Sequence, residues 1–221
     1  MPDNLIHVYF MPGMAASSKI FEYIKLPENQ FKIHLLDWIL PNTNETIEHY
    51  ALRMSSKITH ENPVLIGVSF GGVLVQEISK LITTRKTILV SSVKSFKEIP
   101  THMVLAKTTK AYKLLPIQLA SNIDVLTKYA FGDLIKKRLE LYKKYLTMSD
   151  ARYLTWAIEK MLYWAQEIPP KNIIHIHGDN DSVFPIKNIN NCIIVASGTH
   201  SMIINKCRWF NENLPNLILK N

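Results

Sequence analysis

Six short stretches of the chain carry the hydrophobic pattern of β-strands. Residues 5–10, 31–38, 87–90, 172–178 and 192–196 are apolar runs or alternate apolar with polar positions. Val64, Leu65 and Ile66 form the sixth, an unbroken apolar run that opens after Pro63. Helical spacing fills several of the gaps between them. Val73, Leu74, Glu77 and Ile78 follow the third strand at a period that puts two apolar pairs on one face. A helix is predicted to start over 15–23, with Ser17 or Ser18 as its cap, and another to run from a break at 41–44 to about Ile58. Strands and helices alternate through this half, which predicts an α/β chain with a mostly parallel six-stranded sheet and helices on both faces.

The alternation stops after Val93. From about residue 95 to residue 168 there is no strand pattern. Leu134, Ile135, Leu139, Tyr142 and Leu146 keep helical spacing, as do Leu154, Ile158, Met161, Leu162 and Ala165. Ser149 or Asp150 would cap the second of these helices, and Pro169-Pro170 would end it. The segment reads as a helical cap inserted between two strands of a single domain spanning 1–221. Its Tyr112, Tyr129, Phe131, Trp156, Tyr163 and Trp164, with Met103, Met148 and Met161, are packing residues that could also wall an apolar pocket. The sheet resumes after it, and a last helix is predicted over about 205–213.

Composition narrows the class. The chain has 221 residues, is 47% apolar and has a mean hydropathy of +0.01, which suits one domain with a sizeable core. No stretch reaches the roughly 20 apolar residues of a membrane span. The first four residues carry no positive charge and do not look like a secretory signal, so a cytoplasmic location is expected. Cys192 and Cys207 read as small buried hydrophobes rather than a disulfide, and no Cys/His pattern has zinc spacing. The net charge of +8 is uneven: residues 94–150 hold eleven Lys or Arg against five Asp or Glu. Spread as they are, these lysines read as a solvated helical face. No basic-aromatic motif of a nucleic-acid module is present.

Candidate chemistry centres on Gly67-Val68-Ser69-Phe70-Gly71-Gly72. This G-x-S-x-G stands between a strand and a helix, the context of a nucleophile elbow. Its serine is expected in a strained turn at a helix N-terminus, with flanking glycines removing side chains that would clash. Two further stretches follow later strands: Gly178-Asp179-Asn180-Asp181 leading to Pro185, and Ser197-Gly198-Thr199-His200. Of the eight histidines, His7, His34, His175 and His177 lie in strand-like runs and read as core or supporting groups. His49, His60 and His102 have no motif around them, and only His200 follows the final strand.

Strand-elbow-helix, helical insertion, G-x-x-D-x-x-x-P after a strand, then a strand ending at G-x-H: the whole arrangement resembles the α/β-hydrolase superfamily over nearly the full chain. The resemblance implies Ser69 as nucleophile, Asp181 as acid and His200 as base, in the family's order. Counted from Gly178 and Pro185, Asp181 fits that pattern and Asp179 does not. It also implies an oxyanion hole made by the backbone N–H of Phe70 and one from the loop after the first strand, that of Met14. That loop begins His-Gly in many members and Pro12-Gly13 here. The two antiparallel strands usual at the family's N-terminus are missing. Haloalkane dehalogenases and epoxide hydrolases of this fold use Asp at the elbow and dienelactone hydrolases use Cys, so Ser69 points away from all three.

The expected activity is a carboxylesterase-like serine hydrolase that cleaves a small or acyl ester through an acyl-enzyme. No metal or organic cofactor is implied, because the triad is chemically complete. One alternative is an acyl-thioesterase, with the basic insertion meeting an acidic carrier protein. The other belongs to a different class: a non-catalytic ligand-binding member of the fold.

Overall fold

The computed structural model describes residues 5–110 and 144–220. Leu134, Ile135, Leu139 and Tyr142 of the predicted helical run, and Tyr112, Tyr129 and Phe131, lie outside the described residues. The strands are β1 (Ile6–Met11), β2 (Phe31–Leu35), β3 (Val64–Val68), β4 (Lys86–Val90), β5 (Ile173–Gly178) and β6 (Ile193–Val195). They form one sheet in the order β2-β1-β3-β4-β5-β6, and every neighbouring pair is parallel. All five residues of β3 are buried. A strand covered on both faces has no polar side to show, which is why its sequence is an unbroken apolar run rather than an alternation.

The order of the strands positions the site. The chain leaves β1 outward to β2, returns past β1 to β3, and then steps steadily to β6. Right-handed crossovers taken in opposite directions fall on opposite faces of a sheet. The short 3₁₀ turn Ser18–Phe21 between β1 and β2 therefore shares a face with the C-terminal helices, and α1 (Ile47–Ser55) and α2 (Phe70–Ser79) pack together on the other. On the first face, Asn211 ties the two parts by accepting the Lys25 amide at 2.8 Å and donating to the Tyr23 carbonyl at 3.0 Å. The connections after β1 and β3 run apart at the carboxyl ends of their strands. That switch point opens the crevice in which open α/β sheets bind ligands.

Between β4 and β5 the described residues contain helix and no strand. They include α3 (Thr101–Thr109) and α4 (Ala151–Tyr163), which pack on each other. Asp150 caps α4, its carboxylate accepting the amides of Arg152 at 2.8 Å and Tyr153 at 3.2 Å. The chain closes with α5 (Met202–Asn205) and α6 (Cys207–Leu219). Among the described residues no helix is long and apolar enough to cross a membrane. Both cysteines are free thiols.

The strand expected over 31–38 ends at Leu35, and four helices differ from the sequence pattern, each for a local reason. The helix expected over 15–23 is reduced to the Ser18–Phe21 turn, because Ala15 sits at φ 65° and breaks the helical path. Ser17 occupies the cap position without a side-chain cap bond. The helix before β3 starts at Ile47 rather than at 41–44: Asn44 has φ 56°, and Thr46 makes the cap by accepting the His49 amide at 3.2 Å. Helix α4 ends at Tyr163, well before Pro169, because Trp164 turns extended and donates its indole N–H to Glu77 at 2.7 Å. The last helix is two helices, and the longer one runs on through Pro215 to Leu219.

The α1 cap gives a direct check on this account. Thr46→Ala leaves the His49 amide without its partner and should lower stability by about 1 kcal/mol, with Thr46→Ser close to the parent. A urea midpoint for the three proteins measures it.

Candidate active site

Ser69 stands between β3 and α2, at φ 52° and ψ −122°. A residue with a side chain reaches that region at a cost of about 1–3 kcal/mol unless its surroundings hold it there. Three hydrogen bonds do so. The Ser69 amide donates to the Val90 carbonyl at 2.9 Å, and the Ser69 carbonyl accepts the Gly72 amide at 2.9 Å and the Ser92 hydroxyl at 2.7 Å. The turn also demands close backbone approach. A Cβ at Gly67 would lie 2.3 Å from the Gly71 carbonyl oxygen, and one at Gly71 would lie 2.3 Å from that of Pro12. Glycine is thus required inside the elbow, and also where the elbow meets the loop after β1.

That loop is held from a distance. The Trp38 indole donates to the Gly13 carbonyl at 2.8 Å, and its ring stacks on Phe70 with centroids 5.3 Å apart. One buried side chain therefore fixes the β1 loop against the first residue of α2. Phe70 opens that helix, so its N–H has no intrahelical acceptor. Met14 and Phe70 line the same pocket as Ser69 and His200.

The structure brings the three sequence-predicted side chains into one line. Ser69 Oγ lies 2.9 Å from His200 Nε2. His200 Nδ1 lies 2.9 Å from Asp181 Oδ2 and 3.1 Å from Oδ1. Asp181 is buried, whereas its rival Asp179 is exposed. The Asp181 carboxylate also accepts the amides of Val183 at 2.8 Å and Phe184 at 2.9 Å. Burial pushes this carboxyl up, but the His200 ring and these donors outweigh it and hold it below its ordinary range.

Behind Asp181 stands a pair the sequence placed only as core or supporting groups. His177 Nε2 donates to the Phe184 carbonyl at 2.8 Å and lies 3.5 Å from Asp181 Oδ2. That leaves His177 Nδ1 to accept from His175 Nε2 at 3.2 Å. Burial lowers the pKa of both rings, that of His175 to about 3. The shift favours the neutral form of both rings, which brace the carboxylate without competing for its charge. Asp37, just after β2, accepts the Ser18 amide at 2.7 Å and the Ser18 hydroxyl at 3.0 Å. The supporting roles of Trp38 and Ser92 have no motif in the sequence. The one signal is position, since each follows a strand whose carboxyl end faces the crevice.

Comparison with known proteins agrees with this geometry at the level of architecture. No protein-family model and no curated protein sequence matches the chain. Solved structures do. A hydrolase from Pseudomonas aeruginosa PA01 superposes with a TM-score of 0.71 at 11% identity, covering 97% of this chain and 90% of that one. A bromoperoxidase from Bacillus anthracis gives 0.70 at 21% identity, covering 98% and 92%. The esterase EaEST from Exiguobacterium antarcticum gives 0.68 at 18% identity, covering 96% and 91%. The chain has the α/β-hydrolase fold. At these identities the likeness carries the fold alone.

The buried histidines set a pH dependence. The folded protein holds His175 and His177 neutral, while the unfolded chain protonates them below the ordinary value of 6.5. Unfolding at acid pH then takes up protons that the folded state refuses. Stability is full above about pH 6.5 and falls below it, by up to about 1.4 kcal/mol per pH unit for each ring. Urea midpoints between pH 7.5 and pH 4.5 should show this decline, and His175→Gln, which cannot titrate, should flatten it.

Proposed function

We propose that this chain is a serine hydrolase that cleaves a carboxylic ester through an acyl-enzyme. The observation that carries the proposal is the unbroken contact from Ser69 Oγ through His200 to buried Asp181, set on a strained turn at the switch point of the sheet. A serine hydroxyl is a weak nucleophile until a base takes its proton. His200 Nε2 is within reach to take it as Oγ attacks the carbonyl, and to return it to the leaving alcohol. Asp181 holds the other ring nitrogen, fixes the tautomer and stabilises the imidazolium that forms. The amides of Phe70 and Met14 receive the negative charge of the tetrahedral intermediate, at the end of a helix whose dipole favours an anion. Water then attacks the acyl-enzyme by the same steps and frees the acid.

The pocket argues for an apolar acyl or aryl group. Beside Ser69 and His200 it is lined by Ile20, Met103, Leu146, Met161, Phe184 and Ile203. Met103, Leu146 and Met161 come from the 95–168 segment, so we assign that segment the part of a cap that shapes the acyl site. Methionine side chains there adapt to more than one acyl shape. The names of the structural neighbours, hydrolase and esterase among them, point the same way. The thioesterase reading gains no particular support. Lys97, Lys144 and Lys160 of this segment each pair with a carboxylate of the chain, as a solvated face does.

Hydrolysis of p-nitrophenyl esters of increasing acyl length tests the proposal. The parent should turn over, and Ser69→Ala, His200→Ala and Asp181→Asn should each lose about 10³-fold or more in kcat. Because the three act as a unit, the double variant Ser69→Ala/His200→Ala should lose little more than either alone. Turnover that Ser69→Ala leaves unchanged contradicts the proposal.

A further inference from the structure

Three histidines far apart in sequence meet on one face of the sheet edge. His7 and Tyr9 are two residues apart on β1 and share a face, and the β1–β2 register sets His34 directly beside Tyr9. His60 comes from the connection 56–63 between α1 and β3, which crosses the same face. The Thr59 amide donates to the Tyr9 hydroxyl at 3.2 Å and anchors that connection. His7 Nδ1 lies 2.9 Å from His34 Nε2, and one ring nitrogen from each of the three histidines falls within 4.8 Å of the others. Among the described residues no other group of His, Cys, Asp or Glu is arranged this way.

We propose that His7, His34 and His60 form a binding site for a late first-row divalent cation, Zn²⁺ foremost. Tetrahedral zinc holds imidazole nitrogens about 3.3 Å from one another, given metal–nitrogen bonds of about 2.0–2.1 Å. The His7–His34 pair is already close to that spacing. Nitrogens at hydrogen-bond distance must share one proton, and an ion takes its place. His60 Nδ1 is engaged by the Tyr9 hydroxyl at 2.6 Å. That leaves Nε2 to bind an ion, with Tyr9 as the outer partner that fixes the ring, an arrangement metal-bound histidines share. The His7 and His60 rings are stacked at 3.5 Å, so they must splay for both to face an ion. His60 sits on a connection rather than in the sheet, so the opening must come from the His7 ring or from a shift of that connection with the Tyr9–His60 contact kept.

The donor set decides the ion. Three imidazoles and no carboxylate suit zinc, copper, nickel or cobalt and not calcium or magnesium, which want oxygen. Binding needs neutral rings. Burial first, then repulsion from His60 and His7, lowers the pKa of His34, the direction that favours the neutral ring. Lys32 adds to that repulsion, and Lys57 lines the neighbouring cleft with Tyr9, His34 and Thr59. Asp37 lines the same cleft, so the charge beside the site is mixed and coordination bonds carry the affinity. The cleft opens beside His34 and Tyr9 and gives an ion a path to that side of the site. None of the three histidines lines the pocket at Ser69, so the site stands apart from the proposed hydrolase centre. A bound ion would clamp edge strand β2 and the 56–63 connection onto β1.

Isothermal titration of the whole chain with ZnCl₂, and Co²⁺ absorption in place of Zn²⁺, test the site. One ion per chain should bind at micromolar concentration or tighter, with the intense visible bands of four-coordinate cobalt. His34→Ala and His60→Ala should each weaken binding at least about tenfold, and Tyr9→Phe by about tenfold through the outer contact. Crystals of the parent soaked in ZnCl₂ give a readout that no variant's folding can confuse: an anomalous peak among the three imidazoles. No saturable binding, binding that both histidine variants leave intact, or a peak elsewhere would overturn the proposal.

Discussion

The close contact between the elbow and the β1 loop is the constraint on which the rest of the site depends. The backbone at Gly71 packs so tightly against the Pro12 carbonyl that no side chain fits between them. This contact joins β1 to β3 where their connections part, and so fixes the two loops that frame the crevice. Met14 and Phe70 line the same pocket beside it, and Ser69 sits in a conformation that a residue with a side chain rarely adopts. The strain is held by hydrogen bonds from β4 and its loop, through Val90 and Ser92. Rigid elements, rather than the serine itself, decide where Oγ points.

The opposite side of the site is fixed differently. Asp181 is buried and would be costly to ionise alone. It is kept charged by two backbone amides and the His200 ring, and braced by a neutral His177–His175 pair rather than by a second charge. A buried polar network of this kind gives up some acid stability and gains a single orientation for the carboxylate. The His200 ring joins the two halves. Its position after β6 therefore matters as much as its chemistry.

The sequence made visible what depends on local backbone rules. The elbow follows from a short motif whose glycines constrain the chain within a few residues, the parallel sheet follows from the alternation of strand and helix patterns, and the resemblance to the α/β-hydrolases points to Asp181, which lies beside His200. Helix limits were less legible, because tertiary contacts set them. Asn44 and Ala15 take left-handed backbone with no glycine to announce it, and Trp164 leaves α4 to reach Glu77. Contacts between distant elements left no pattern at all. Trp38 holding the Gly13 carbonyl, and His7 meeting His34 and His60, arise from the pairing of β1 with both β2 and β3. No spacing in the chain records that pairing, and the three histidines show no zinc-like spacing in the sequence.

The most direct test of the central claim is covalent. A fluorophosphonate reacts with a serine only where a base activates it and donors receive the developing charge on phosphorus-bound oxygen. Intact mass and peptide mapping after treatment should show one adduct per chain, on Ser69, forming far more slowly in His200→Ala. No adduct, an adduct on another serine, or equal labelling of the parent and His200→Ala would contradict the account.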